Sequence, residues 1–300
     1  VIKKRVEQRS IGNLLKEIVE YVHAKDPYMW GEVKSSTFVI DMVILTLYHD
    51  LTGSSYQNIE EEIDFGYVIS HIALAHNAGV IRRTLQPWAE QYVTLGTLTD
   101  WQEAASRITF PKPIGKVHLW ADSTDVRLKG RQSVSRKDLS WSFKCNSPAQ
   151  RYMMLCDAKS RVRYLCGGYS PKVYDGDWLK INKAWIASSL YGATVIADGH
   201  FAPGRTLLPG EVTFLVNYPQ PAGPQLNAAG GIGQKGKQVH LTQELQHFNN
   251  VHRSDRARVE SPLARLKKKF ISLDKPWYED PIQQDYLVHI GCAIINNLKH

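Results

Sequence analysis

Apolar residues recur every three or four positions through most of the first hundred residues, a spacing that predicts helices. In residues 1–24 they fall on one helical face, and Asp26-Pro27 ends the pattern. Residues 35–95 repeat this spacing in three segments that turn residues separate. We therefore expect an all-helical N-terminal module.

The three segments of this module predict a compact arrangement of helices. Ser35 or Ser36 could cap the first helix, and Leu51-Thr52-Gly53-Ser54 forms a turn after it. A second helix is predicted over 55–63 and a third over 67–88, where Pro87 would end it. A helix, a tight turn and a second helix are typical of a helix-turn-helix. The module then either contacts DNA or has a purely structural or dimerising role.

From residue 117 the pattern changes to short apolar runs between turn residues, which predicts strands after a linker over 96–116. The predicted strands are 117–122, 151–156, 161–169, 194–198 and 212–217, and the predicted helices are 175–190, 241–269 and 280–298. Three antiparallel strands followed by crossover strands are the plan of an RNase H-like α/β fold, with a mixed five-stranded sheet and flanking helices. We divide the chain into a helical domain, 1–110, and an α/β domain, 111–300.

Composition narrows the class of protein. Of the 300 residues, 43% are hydrophobic, which suffices for a buried core, and no run approaches the 18 apolar residues of a membrane span. The four cysteines form no Cys-x-x-Cys pair, which favours a reducing compartment and buried thiols at Cys156 and Cys166. Residues 1–110 have a net charge of −4, whereas residues 111–300 have +12. The basic part suits a polyanionic partner, although excess lysine can also simply solubilise a domain.

Three carboxylates lie at positions suited to divalent cations. Asp122 follows the apolar run 117–121, and Asp198 follows the run 193–197. Glu260 lies in a basic segment predicted to be helical. If the three converge, they can hold two divalent cations, which could clamp the attacking and leaving oxygens of a phosphodiester. The alternative for an aspartate after a strand is a turn residue or a helix cap.

Neighbouring polar residues have competing interpretations. Asp125 could replace Asp122 as a ligand, but we expect it to pair with Arg127 or to cap a turn. Asp157 is interpreted as the turn residue of a hairpin. His200 could orient water or DNA near Asp198, or be ordinary polar surface.

Seven cations lie within 17 residues around Glu260 and predict contact with DNA phosphates. They are Arg253, Arg256, Arg258, Arg265, Lys267, Lys268 and Lys269. The alternative is a solvated helix face. Arg256, four residues before Glu260, could also pair with it in a structural role.

The order of residues around Glu260 resembles one known family. The matching positions are Asn250, His252, Arg256, Glu260, Leu263-Ala264 and Leu266-Lys267, followed by Lys275-Pro276-Trp277 and Tyr286-Leu287-Val288-His289. In this order they resemble the DDE transposases of the PIF/Harbinger type and their bacterial IS5-like relatives, and the resemblance covers most of 36–300. The turn 51–56 is similar to the N-terminal module of that family. Two loops depart from its pattern, since Asp122-Ser123-Thr124 and Ala197-Asp198-Gly199-His200-Phe201 replace the usual glycine-rich sequences.

The resemblance implies a transposase that cuts transposon-end DNA and joins the 3′-OH to target DNA. Asp122, Asp198 and Glu260 would be its catalytic metal ligands, for two Mg²⁺ or Mn²⁺ ions. It further implies a double-stranded DNA substrate, a homodimer or larger assembly, a Myb-like DNA-binding partner protein, and no membrane. The location would be the nucleus, or the cytoplasm if the source is bacterial. The alternatives are a domesticated transposase-derived DNA-binding protein without cleavage activity and another RNase H-like nuclease.

Overall fold

The structure is a computed structural model of mixed α/β type. It describes residues 2–25, 36–63, 69–112, 114–128, 138–208, 210–217, 242–275, 277 and 280–298, with the side chains of 2–10, 36–37, 205 and 257–261 left out. The predicted capping residue Ser35 and the first two residues of the helix predicted over 67–88 therefore lie outside the described residues.

Helices account for the N-terminal part, as predicted. Ser55 caps the third of them, because its hydroxyl accepts a hydrogen bond from the Asn58 N–H. The helices are α1 (Ile2–Lys25), α2 (Ser36–Thr52), α3 (Tyr56–Glu62), α4 (His71–Tyr92) and α5 (Leu98–Ser106).

Two predictions in this part are wrong. Pro87 does not end α4, which continues because Trp88 and Ala89 are buried and Glu17 of α1 accepts hydrogen bonds from Trp88 and Tyr92. The predicted linker carries helix α5, which a capping box begins and whose buried face anchors it to the sheet.

Within the described residues the sheet has six strands, because one short strand adds to the five that were predicted. They are β1 (Leu119–Arg127), β2 (Trp141–Ser142), β3 (Ser147–Asp157), β4 (Val162–Tyr169), β5 (Thr194–Ala197) and β6 (Thr213–Val216). β3 lies antiparallel to β1 and β4, while β5 lies parallel to β1 and to β6. The principal order is therefore β4-β3-β1-β5-β6, and the short β2 pairs with the first residues of β3. Three antiparallel strands followed by crossover strands agree with the predicted order.

The hairpin between β3 and β4 confirms the interpretation of Asp157. Its carboxylate accepts hydrogen bonds from the backbone N–H groups of Lys159 and Arg161, and it pairs with the guanidinium groups of Arg161 and Arg163. Ser160 adopts a positive φ of 54° in the same turn. Asp157 therefore stabilises a turn and does not point to a separate site.

The remaining helices flank the sheet. They are α6 (Asp175–Ile181), α7 (Lys183–Ser189), α8 (Gly204–Leu207), α9 (Gln243–Lys269) and α10 (Pro281–Asn297), with single 3-10 turns at Gly199–Phe201 and Ile271–Leu273. The single helix predicted over 175–190 is divided at Asn182, where the backbone leaves helical geometry and begins again.

Two buried clusters lie on opposite faces of the sheet, because successive strand residues point to opposite sides. Trp120 belongs to the cluster under α1, α2, α4, α9 and α10, whereas Leu119 and Ala121 belong to the cluster under α5 to α8. The first cluster extends from Ile18 to Ile295, so the helical and α/β parts share buried contacts. The division at residue 110 stays a prediction.

Two findings concern the composition-based expectations. All four cysteines are free thiols, with Cys156 buried as predicted and Cys166 only partly buried. None of the helices in the described part of the chain has both the length and the hydropathy needed to cross a bilayer.

Candidate active site

Asp122 lies inside a strand and not at its end, which corrects the sequence-based prediction. β1 continues to Arg127 because its backbone pairs with β3 throughout, from Leu119 opposite Asp157 to Arg127 opposite Ala149. β5, in contrast, pairs with β1 only at Leu119 and Trp120. Beyond these residues, the edge of β1 next to Asp122 has no strand partner among the described residues.

The Asp122 carboxylate faces helix α9. Trp120, two residues earlier and on the same face of β1, donates from its indole N–H to the Asp255 carbonyl of α9 at 3.1 Å. The next helical residue, Arg256, reaches the strand, and its Nη1 lies 3.7 Å from Asp122 Oδ2. The other carboxylate oxygen accepts a hydrogen bond from the Ser123 N–H at 2.8 Å.

Burial dominates the electrostatics of Asp122. The side chain is nearly buried, and this burial raises the pKa of Asp122 above its usual value. The Ser123 N–H and the charges of Lys144 and Arg256 oppose that rise, whereas the negative charge of Asp198 adds to it. Asp122 and Asp198 are thus close enough to repel each other, and a bound cation would relieve this repulsion.

Asp198 lies at the end of β5, as predicted, and begins the Gly199–Phe201 turn. Its Oδ1 accepts a hydrogen bond from the His200 N–H at 2.8 Å, which fixes the carboxylate relative to the strand. A Cβ on Gly199 would lie 3.2 Å from Asn217 Oδ1, so this turn packs directly against the residue that follows β6. Because β1 and β5 are adjacent and parallel, Asp122 lies beside the carboxyl end of β5, where Asp198 follows the strand.

Helix α9 covers the site on the face of the sheet that Trp120 points to. The His252 ring donates from Nε2 to the Leu215 carbonyl of β6 at 3.1 Å, and the Asp255 carbonyl holds Trp120 of β1. The helix therefore crosses β6, β5 and β1, and so lies over the two strands that carry the aspartates. Glu260 lies on α9 one turn beyond Arg256, and its side chain is outside the described residues.

A polar cavity of about 510 Å³ opens between α9 and the ends of β5 and β6. It is lined by Asp198, Gly199, His200, Asn217, Asn249, His252, Arg253 and Arg256. The four residues from α9 follow helical spacing and so share one face. Sites for apolar ligands are mainly hydrophobic, whereas the described lining residues include two guanidinium groups and no hydrophobic side chain. Its chemistry suits an anionic ligand beside a carboxylate.

The seven predicted phosphate contacts separate into different environments. Arg253 and Arg256 line the cavity, and Lys268 and Lys269 are exposed at the end of α9. Arg265 and Lys267 instead donate to the carbonyls of Ser160 and Asp125. The Arg258 side chain is outside the described residues.

Three site features were missed or misjudged from the sequence. Asp125 neither pairs with Arg127 nor caps a turn. Its carboxylate accepts hydrogen bonds from Arg151 Nε at 2.7 Å and from the Ser142 hydroxyl.

Lys144, which follows β2, donates to the Ser123 carbonyl at 3.2 Å and so lies on the free edge of β1 beside Asp122. Asp175, the first residue of α6, is buried near Asp198. No local pattern marks Lys144 or Asp175, because tertiary packing brings them to the site.

The donor chemistry fits a divalent cation. Asp122 and Asp198 supply carboxylate oxygens, the ligands that Mg²⁺ and Mn²⁺ prefer, and buried Asp175 Oδ1 has no hydrogen-bond partner. Within the described residues, no group of three His, Cys, Asp or Glu side chains is arranged to hold an ion. That set does not include the Glu260 side chain.

Comparison with known proteins assigns the family. Residues 121–296 match the family described as DDE superfamily endonuclease, which is more than half of the chain. The chain belongs to this family. No curated protein and no solved structure matches it. As a DDE superfamily endonuclease the chain has a transposase- or nuclease-like function. Members of the family generally use divalent metals and act on DNA. The match begins immediately before Asp122 and ends in α10, so it contains both aspartates and all of α9.

Proposed function

We propose that this chain is a DNA transposase that cuts transposon-end DNA and joins the freed 3′-OH to target DNA. Asp122 and Asp198 would hold divalent cations together with Glu260 from α9. When bound, two such ions lower the pKa of an attacking water and neutralise charge on the leaving oxygen. The observation that carries the proposal is the meeting of Asp122 and Asp198 on adjacent parallel strands, under an arginine-bearing helix.

The remaining polar groups of the cavity would bind and orient the DNA strand. Arg253 and Arg256 present guanidinium groups suited to phosphate oxygens, and their position on one face of α9 directs them to a backbone beside Asp198. His200 follows Asp198 and could orient a water or a phosphate there. Exposed Lys268 and Lys269 would extend the basic surface along the duplex.

Finer assignments form part of the same proposal. The order β4-β3-β1-β5-β6 supports an RNase H-like catalytic fold, and the residues around Glu260 support the PIF/Harbinger type. We propose Mg²⁺ as the metal, with Mn²⁺ as a substitute. We also propose a homodimer or larger assembly, a Myb-like partner, DNA contact by the helical module, and the nucleus as the location, or the cytoplasm in a bacterium.

Cleavage of DNA tests the proposal directly. Labelled plasmid DNA is incubated with Mg²⁺ or Mn²⁺ and with wild type, Asp122→Asn, Asp198→Asn or Glu260→Gln. We expect nicking by wild type only, and nearly unchanged DNA binding by all four proteins, because an amide cannot replace a carboxylate as a cation ligand. Wild-type cleavage by Asp198→Asn would refute the assigned site.

A separate variant tests the role of the cavity. Arg253→Gln should weaken DNA binding at low salt and reduce the dependence of log K on log salt by about one unit for each phosphate that the variant no longer binds. Lys183→Gln, which removes an exposed cation of α7 on the opposite face of the sheet from α9, is the control. DNA binding without cleavage by any of the proteins would favour the domesticated DNA-binding protein. Preferential cutting of an RNA–DNA hybrid would favour another RNase H-like nuclease.

A further inference from the structure

Asp175 is a buried carboxylate whose hydrogen bonds are incomplete. The residue is 5% exposed, and its Oδ1 atom is buried without a hydrogen-bond partner. The Ser123 side chain lies close enough to the carboxylate to act on it. Buried carboxylates are normally paired or fully hydrogen-bonded, because an unsatisfied charged oxygen costs free energy. A retained exception calls for a physical reason.

No nearby cation neutralises Asp175 by direct pairing in the described part of the chain. The guanidinium whose charge acts on Asp175, that of Arg151, is bonded to Asp125 and to the Val173 carbonyl. Asp198 lies near enough for its negative charge to act on Asp175. Two acids therefore approach each other beside a site that already contains Asp122. This arrangement is unfavourable in the absence of a cation.

The first residues of α6 also contact both parts of the site. Asp175 lies beside the side chain of Ser123, the residue after Asp122. A Cβ on the next residue, Gly176, would lie 3.1 Å from the His200 carbonyl, so the helix packs against the turn that Asp198 begins. The segment therefore connects the strand that carries Asp122 to the turn that carries Asp198.

We infer that Asp175 is a positioning residue of the cation site, which fixes Asp122 and Asp198 relative to each other and adds a negative charge that raises cation affinity. The inference rests on the proposed function, since it assumes that the two aspartates hold a divalent cation. Asp175 acts through Ser123 and through its charge and is not assigned as a ligand. A structural role alone would stabilise the protein, whereas this role lowers its stability until the cation binds.

The test compares cation affinity with stability in the same variants. Mn²⁺ is titrated into wild type, Asp175→Asn and Asp177→Asn, with free Mn²⁺ measured by electron paramagnetic resonance, and each protein is melted with and without Mn²⁺. Asp177 is the matched control, because it is an exposed acid on the same helix, paired with Lys180. We expect Asp175→Asn to melt at or above the control temperature without Mn²⁺ and to bind Mn²⁺ about five- to tenfold more weakly.

Several results would overturn the inference. One is a Mn²⁺ affinity of Asp175→Asn equal to that of Asp177→Asn. If wild type then still binds Mn²⁺ and cleaves DNA, the inference fails and the proposed function stands. Another is an Asp175→Asn protein that melts below the control or does not fold, which would make the residue structural. Ser123→Ala keeps the charge of Asp175 and removes the hydroxyl through which it would position β1, so an unchanged Mn²⁺ affinity there would remove the positioning role. Wild type that binds no Mn²⁺ would refute the proposed function, and this inference with it.

Discussion

The buried ion pair between Asp50 of α2 and Arg82 of α4 should be a major source of stability. Neither side chain has any solvent exposure, and Arg82 Nε and Nη2 both donate to the carboxylate. The guanidinium also donates to the Tyr56 hydroxyl at 3.0 Å and lies 5.0 Å from the Trp277 ring centroid. The Asp50 carbonyl accepts from the Ser272 hydroxyl, so the pair also joins α2 to the C-terminal segment.

Arg82→Met tests this role. It leaves the Asp50 carboxylate buried without its main partner, which costs about 3–5 kcal/mol for a buried pair, and it removes a cation–π contact worth about 0.5–2 kcal/mol. The free energy of unfolding is measured by urea denaturation. The control, Arg107→Met, makes the same change in an exposed pair with Glu103 at 3.7 Å and should cost less than about 0.5 kcal/mol.

A double variant separates the pair from the cavity that it leaves. Asp50→Asn combined with Arg82→Met removes both charges, so it should be less destabilised than the sum of the single variants by about 2 kcal/mol. An Arg82→Met protein within about 1 kcal/mol of wild type, or additive single variants, would refute the reasoning.

The same pair predicts a pH dependence. Burial raises the pKa of Asp50, but the charge of Arg82 and the hydrogen bonds from His49 and Arg82 outweigh it, so the pKa is lowered from 3.8. A lowered folded-state pKa contributes stability that is present above the unfolded value and lost as pH falls through the folded value. Wild type should therefore keep this contribution until the pH falls well below 3.8, and Arg82→Met should lose it at higher pH.

Three further predictions concern single residues. Asp122→Asn should melt at a higher temperature than wild type at pH 7 without metal, because burial raises the pKa of Asp122 and so destabilises its ionised form. This gain in melting temperature should fade as the pH falls through the raised pKa. A difference in melting temperature that stays constant from pH 4 to 7 would contradict the prediction. Gly167→Ala should cost about 2 kcal/mol or more in a urea melt, because its Cβ would lie 1.9 Å from the Tyr152 ring; an unchanged midpoint would contradict this. Asn296→Ala should cost about 2–3 kcal/mol in the same assay, because the buried amide bonds to three backbone groups of α4 and β4; a change below about 0.5 kcal/mol would mean that water replaces these bonds.

Local signals predicted the elements that local chemistry decides. The hairpin at Asp157 and the cap at Ser55 follow from turn and capping residues, and the final helix follows from its apolar face. The order of the antiparallel and crossover strands was also predicted from the sequence, because the spacing of the apolar runs determines which connections between strands are short. These features depend on neighbours within a few residues.

The errors come from interactions that are distant in sequence. β1 extends past Asp122 because β3 pairs with it, and α4 continues past Pro87 because Glu17 of α1 holds its last turn. The partner of Asp125 is Arg151, which faces it across the sheet and is 26 residues away in sequence. No periodicity reveals such partners. For the same reason, sequence analysis singled out Asp122 and Asp198 but missed the neighbouring Asp175 and Lys144.

Helix α9 shows why a count of basic residues does not define a nucleic-acid surface. Its first half directs Arg253 and Arg256 into the cavity, while in its second half Lys267 is partly buried and donates to the Asp125 carbonyl at 3.0 Å. Burial lowers the pKa of Lys267, so its charge is less favourable there than in water. Lys267 attaches α9 to β1, the strand that carries Asp122, and thereby helps to position the helix relative to that carboxylate. One run of cations thus serves two purposes, and among its described side chains only those on the cavity face and at the exposed end remain suited to phosphates.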